Sequence, residues 1–152
     1  MKNTTLIILI LFLYSCGYSS IYKNQTSQNF KINIIEKKGN SEMNNLIKNE
    51  IKLYSVKNTT NIYNLKIDTD YKKEILTKDS AGIITDYKLS VTSIFRVDLK
   101  GVTKVIELKE TINIKNQSDS FEQNTYEKNI KRSFASSIRE KLISEIFNIN
   151  DN

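Results

Sequence analysis

From Phe30 to Ile34 apolar and polar residues alternate, with Phe30, Ile32 and Ile34 set against Lys31 and Asn33. That is the two-residue period of a half-buried strand. Gly39 and Asn40 break the pattern. Met43, Leu46, Ile47, Ile51 and Tyr54 then fall at helical spacing, which predicts an amphipathic helix from Ser41, read as its N-cap, to about Ser55. Alternation returns in Tyr63, Leu65, Ile67, Thr69 and Tyr71, with Asn64, Lys66, Asp68 and Asp70 on the opposite face. After a turn around Lys78 to Gly82 it resumes as Tyr87, Leu89, Val91, Phe95, Val97 and Leu99, with Ser93 in register. Lys100-Gly101 reads as a two-residue hairpin turn, because glycine accepts the positive φ such turns require. A turn of that length sets Leu99 opposite Val102, and the next strand presents Ile106, Leu108, Ile112 and Ile114 on the same face.

Asn116 to Asp119 ends the strands and supplies caps for a second helix. In it Tyr126, Ile130, Phe134, Ile138, Leu142 and Ile146 recur every four residues, with Ala135, Ile143 and Phe147 beside them. Four-residue spacing drifts around a 3.6-residue helix, so the buried stripe spirals and widens. Lys128, Lys131, Arg132, Arg139, Glu140 and Lys141 fall mainly off it. The order β-α-β-β-β-α predicts an α+β fold, with two helices packed on one face of a four-stranded mixed, mostly antiparallel sheet. The other face then carries Ile94, Arg96, Asp98, Val105, Glu107, Lys109, Thr111 and Asn113. Charges mixed with aliphatics suit either a solvated face or a polar-rimmed contact surface.

Upstream, Leu6 to Leu13 is an uninterrupted apolar run of eight. A spanning helix needs about 20 such residues, so this run fits the core of a secretory signal. Residues 1–15 are expected to be a signal peptide, 16–29 a modified N-terminus and polar tether, 30–148 the folded domain, and 149–152 a polar tail.

The 152 residues suffice for one compact domain. There is no His, Pro or Trp, and only one Cys. Without His the usual general base and the commonest metal ligand are missing, and one Cys closes no internal disulfide and builds no zinc site. Asp68 and Asp70 share a strand face, with neither His nor a third clustered acid near them in sequence. Several of the eight Tyr sit in the apolar registers above, where core packing explains them better than base stacking. No catalytic residues, no metal and no non-covalent cofactor are expected, and the protein reads as a non-enzyme. The formal charge of +6 favours acidic partners.

Leu13-Tyr14-Ser15-Cys16-Gly17 resembles the bacterial lipobox, with Leu three before the Cys and a small residue just before it. The resemblance implies a diacylglyceryl group on the Cys16 sulfur, cleavage before Cys16 and an N-acyl chain on the new amine. Two or more chains anchor stably where one does not. Lys2 is the only charged side chain upstream, so the mature chain would carry +5. Export also argues against a nucleic-acid partner.

Cys16-Gly17-Tyr18-Ser19-Ser20-Ile21-Tyr22, a polar tether and then β-α-β-β-β-α together resemble LptE, the lipopolysaccharide-assembly lipoprotein family. Many members follow the cysteine with Gly, an aromatic and a Pro-Leu-Tyr. Tyr18 and Tyr22 match, Ile21 is conservative and Ser20 replaces the Pro. Tyr126-Glu127 leading into Arg139-Glu140-Lys141-Leu142 is similar to the family's last helix. The resemblance implies a lipid-anchored protein on the periplasmic side of the outer membrane. There it would plug an LptD-like β-barrel and bind lipopolysaccharide during assembly. Ile94, Val105, Glu107, Lys109 and Thr111 are then the candidate barrel contacts. Arg96, Lys100 and Lys104 are the candidate cations for lipopolysaccharide phosphates. A different class, a lipid-anchored periplasmic scaffold or inhibitor of a soluble protein, accounts for the same anchor without a barrel.

Overall fold

A computed structural model describes residues 30–53, 59, 61–99 and 101–150. Its elements are β1 (Phe30–Gly39), α1 (Ser41–Lys52), β2 (Asn61–Lys78), β3 (Ile84–Leu99), β4 (Val102–Lys115) and α2 (Ser120–Asn150), in the expected order. The sheet runs β1-β2-β3-β4, with β1 parallel to β2 and the other pairs antiparallel. A parallel pair needs a crossover, and α1 provides it. The β3–β4 hairpin closes with Leu99 opposite Val102, as its short turn dictates.

Both helices lie on one face. Beneath them the alternating apolar sets form a single core in which Tyr63, Leu65, Phe95, Ile138, Leu142 and Ile146 are fully buried. Phe30 meets Tyr63 and Phe147 edge to face, at 5.8 and 5.4 Å between ring centroids. This ties the start of β1 to the last turns of α2. At the centre of the sheet Thr69 Oγ1 and Ser93 Oγ, opposite each other on β2 and β3, are 3.2 Å apart and wholly buried. Removing one hydroxyl by Thr69→Val or Ser93→Ala strands the other and is expected to cost about 1–3 kcal/mol. The double variant should cost less than the sum, and denaturant unfolding of all three measures the coupling.

Several boundaries differ from the sequence expectation. The N-cap of α1 is Asn40 and not Ser41, because Asn40 is extended and its Oδ1 accepts the Met43 amide at 2.9 Å. The helix ends at Lys52, and Tyr54 and Ser55 lie outside the described residues. β2, by contrast, runs up to the expected turn at Lys78, its second half pairing with the start of β3. Asp119 caps α2, its Oδ1 accepting the Phe121 and Glu122 amides, and that helix runs on through Asn150. Tyr126 stands 38% exposed, outside the stripe assigned to it. The first turns of α2 overlie the part of the sheet beyond the reach of α1, so no second helix covers that ring. Arg139, placed off the stripe, is instead buried, with its guanidinium on Ser136 Oγ at 2.9 Å and Glu140 at 2.8 Å.

Candidate functional site: the uncovered face of the sheet

Strand alternation puts every second side chain of β2, β3 and β4 on the side away from the helices. The register then fixes who stands beside whom. Arg96 lies between Lys66 and Val105, Ile94 between Asp68 and Glu107, Thr92 between Asp70 and Lys109, and Ser90 between Lys72 and Thr111. Arg96, Val105, Glu107, Lys109 and Thr111 are exposed and Ile94 is half-buried. The five barrel-contact candidates therefore share one open face. Val105, 58% exposed, is its most accessible aliphatic.

The basic candidates are divided. Arg96 is on the uncovered face and has no ion-pair partner among the described residues. Lys104 stands opposite Val97 on the helix side, where its ammonium lies 3.6 Å from Glu145 of α2. Lys100 lies outside the described residues. The cation that joins Arg96 is Lys66, directly across on β2. Sequence reasoning missed it because the register between β2 and β3 is set over a long separation and passes through bulges near Thr77.

A register slip in β1 after Ile34 turns Glu36 onto this face as well. Its carboxylate meets Lys38 at 3.0 Å and Lys66 at 3.4 Å. Hydrogen bonding and charge from Lys38, then from Lys66, hold that carboxyl below its usual range. Asp70 is neutralised by Lys72 at 3.1 Å, which removes it from any bare carboxylate pair with Asp68. No cluster of three potential metal ligands occurs among the described residues.

On the helix side three polar ties fix α2 to the sheet, and all were unforeseen. Glu127 accepts the Tyr71 hydroxyl and the Lys73 ammonium, each at 2.8 Å, and lies 3.4 Å from Lys131. Lys131 reaches Glu42 of α1 at 2.8 Å and sits over the Tyr71 ring. Glu110 accepts from Ser137 and Lys141, both at 2.7 Å, and Lys104 pairs with Glu145. With α2 held in this way, the uncovered face is a rigid, open surface of interspersed cations, anions and aliphatics, suited to a broad macromolecular contact.

No protein-family model matches the sequence, and no curated protein does. Solved structures do match in shape. The rare lipoprotein B of Shewanella oneidensis superposes with a TM-score of 0.60 at 15% identity, over 79% of this chain and 98% of that one. The minor lipoprotein of Acinetobacter baumannii gives 0.58 at 14% identity, over 76% and 89%. A Caulobacter crescentus lipoprotein structure gives 0.59 at 7% identity, over 80% and 92%. The chain thus has a fold that bacterial lipoproteins use, with two helices on one side of a mixed sheet and the other side bare.

Proposed function

We propose that the protein is an outer-membrane lipoprotein, anchored on the periplasmic side through acyl chains on Cys16, that plugs an LptD-type β-barrel and assists lipopolysaccharide insertion. The observation that supports this is the open sheet face, carried on a fold shared with solved bacterial lipoproteins. A plug needs an outer surface that meets the polar interior of a barrel, and a face alternating charge with isolated aliphatics meets that need. Arg96, with Lys66 beside it, offers charge-assisted hydrogen bonds to lipid phosphates. Lys66 and Lys104 would have to leave Glu36 and Glu145 to take part.

The test is purification of C-terminally tagged protein from outer membranes in mild detergent with a salt wash. A large β-barrel is expected at near one-to-one ratio, with a mature N-terminus at an acylated Cys16 by mass spectrometry. Val105→Glu combined with Lys109→Glu should lower barrel recovery about tenfold, a loss of roughly 1.4 kcal/mol in contact energy, with no change in unfolding midpoint. A lone lipoprotein, or one bound to a soluble periplasmic protein, would reject the plug and favour the scaffold or inhibitor.

A further inference from the structure

The sheet has two outer edges, and they differ. β1 ends at Gly39 with its pairing slipped after Ile34, and β2, which carries that edge onward, slips again near Thr77. β4 forms the other edge and pairs with β3 from Val102 to Lys115 without a break in register. One step beyond Lys115 the Asn116 amide donates to the Thr85 carbonyl at 2.8 Å, and Val102 closes the short turn with Leu99. The even-numbered residues of β4 therefore bond to β3, and the amides and carbonyls of Thr103, Val105, Glu107, Lys109, Thr111 and Asn113 point outward. A long, regular strand with such a row free is a template for another strand, unless bulges or like charges guard it.

We propose that β4 pairs antiparallel with β4 of a second copy of this chain, about a two-fold axis at Leu108, joining two four-stranded sheets into one. The charges single out this occupant and this register. Outward backbone groups must meet, so odd residues oppose odd residues. With Leu108 opposite Leu108, Glu107 of each copy opposes Lys109 of the other, Val105 opposes Thr111, and Thr103 opposes Asn113. Moving the pairing by two residues either way sets Glu107 against Glu107 or Lys109 against Lys109. Both side chains are exposed, and neither has an ion-pair partner among the described residues; the second copy supplies one to each. On the helix side Lys104 and Glu110 are already held by Glu145 and Lys141 of α2. Leu108 and Ile112 are only half-buried there and gain cover. The contact is isologous, the commonest arrangement of like chains. It describes the protein outside the barrel and rests on the strand alone; a barrel that takes one copy separates the pair.

The test uses the full lipidated protein in its own membranes, with the unsubstituted chain as the control for Cys16. Facing residues of a non-hydrogen-bonded pair lie about 4.5 Å apart at Cα, within reach of a disulfide. Leu108→Cys should therefore give a linked dimer on mild oxidation. Thr103→Cys, which faces Asn113 and not its own counterpart, should not. A zero-length carbodiimide, joining Glu107 to Lys109, should link the unsubstituted chain as well. Glu107→Lys alone and Lys109→Glu alone, each added to Leu108→Cys, should cut the linked dimer about tenfold by setting like charges face to face. Co-expressed, those two chains should link to each other, and both reversals in one chain should restore the homodimer. No linked dimer by either route would overturn the pairing. So would equal linking at Thr103→Cys and Leu108→Cys, or linking that neither single reversal lowers.

Discussion

Gly39→Ala is expected to lower the thermal midpoint by roughly 10–20 °C, the largest single-residue effect foreseen here. Gly39 ends β1 at φ +75°, and a Cβ built there would lie 2.1 Å from the backbone oxygen of Thr69. That oxygen also accepts the Asn40 amide at 2.6 Å, and Asn40 caps α1. The Asn44 side chain reaches back to the Lys38 carbonyl at 2.6 Å. The close approach of Gly39 to β2 therefore couples the parallel strand pair to the start of the crossover helix. A left-handed conformation costs a non-glycine residue about 1–2 kcal/mol, and a backbone clash adds about 1–3 kcal/mol more. Gly101→Ala is the control: φ is +89° but nothing lies within 4 Å of the new methyl. It should show the conformational cost alone. Equal midpoints for the two variants would refute the role given to the Thr69 contact.

Glu127→Gln should destabilise the domain by about 1–3 kcal/mol at neutral pH, with the loss shrinking in acid. Burial raises the Glu127 carboxyl, but hydrogen bonds from Lys73 and Tyr71 and the charges of Lys73 and Lys131 outweigh it, leaving it below the usual 4.5. Tyr71 is pushed well above its ordinary value by burial and by its bond to Glu127, so it stays a donor across this range. A carboxyl whose folded pKa lies below its unfolded one adds stability above the unfolded value. That contribution is lost as pH falls through the folded value. The wild-type protein should therefore begin to lose its advantage over Glu127→Gln as pH falls below about 4.5, and lose it fully only below the lower folded value. Urea unfolding at pH 7 and at pH 3 reads the difference. Glu42→Gln, at an exposed side chain that touches only Lys131 among these cations, should cost less than 1 kcal/mol or about that. A pH-independent gap for Glu127→Gln would show that shape, and not charge, holds α2 in place.

Much of this architecture was legible along the chain. Alternation in Tyr63 to Tyr71, Leu89 to Val97 and Ile106 to Ile114 separated the helix-facing side of each strand from the open one. The Lys100-Gly101 turn set the β3–β4 register. That register was already sufficient to part Arg96 from Lys104, since Arg96 stands opposite Val105 and the neighbouring Lys104 must face the other way. Only the tertiary structure decided the rest. It brought Lys66 beside Arg96, swung Glu36 round a bulge onto the same face, pressed Gly39 against Thr69, and joined Glu127 to Tyr71 and Lys73 on a strand more than fifty positions away. The physical reason is one of range. Side-chain direction repeats within two residues of a strand and four of a helix, so burial leaves its mark locally on the sequence. Register between distant strands, and the polar ties between a helix and the sheet beneath it, are settled only when the whole core packs and each buried charge finds its partner.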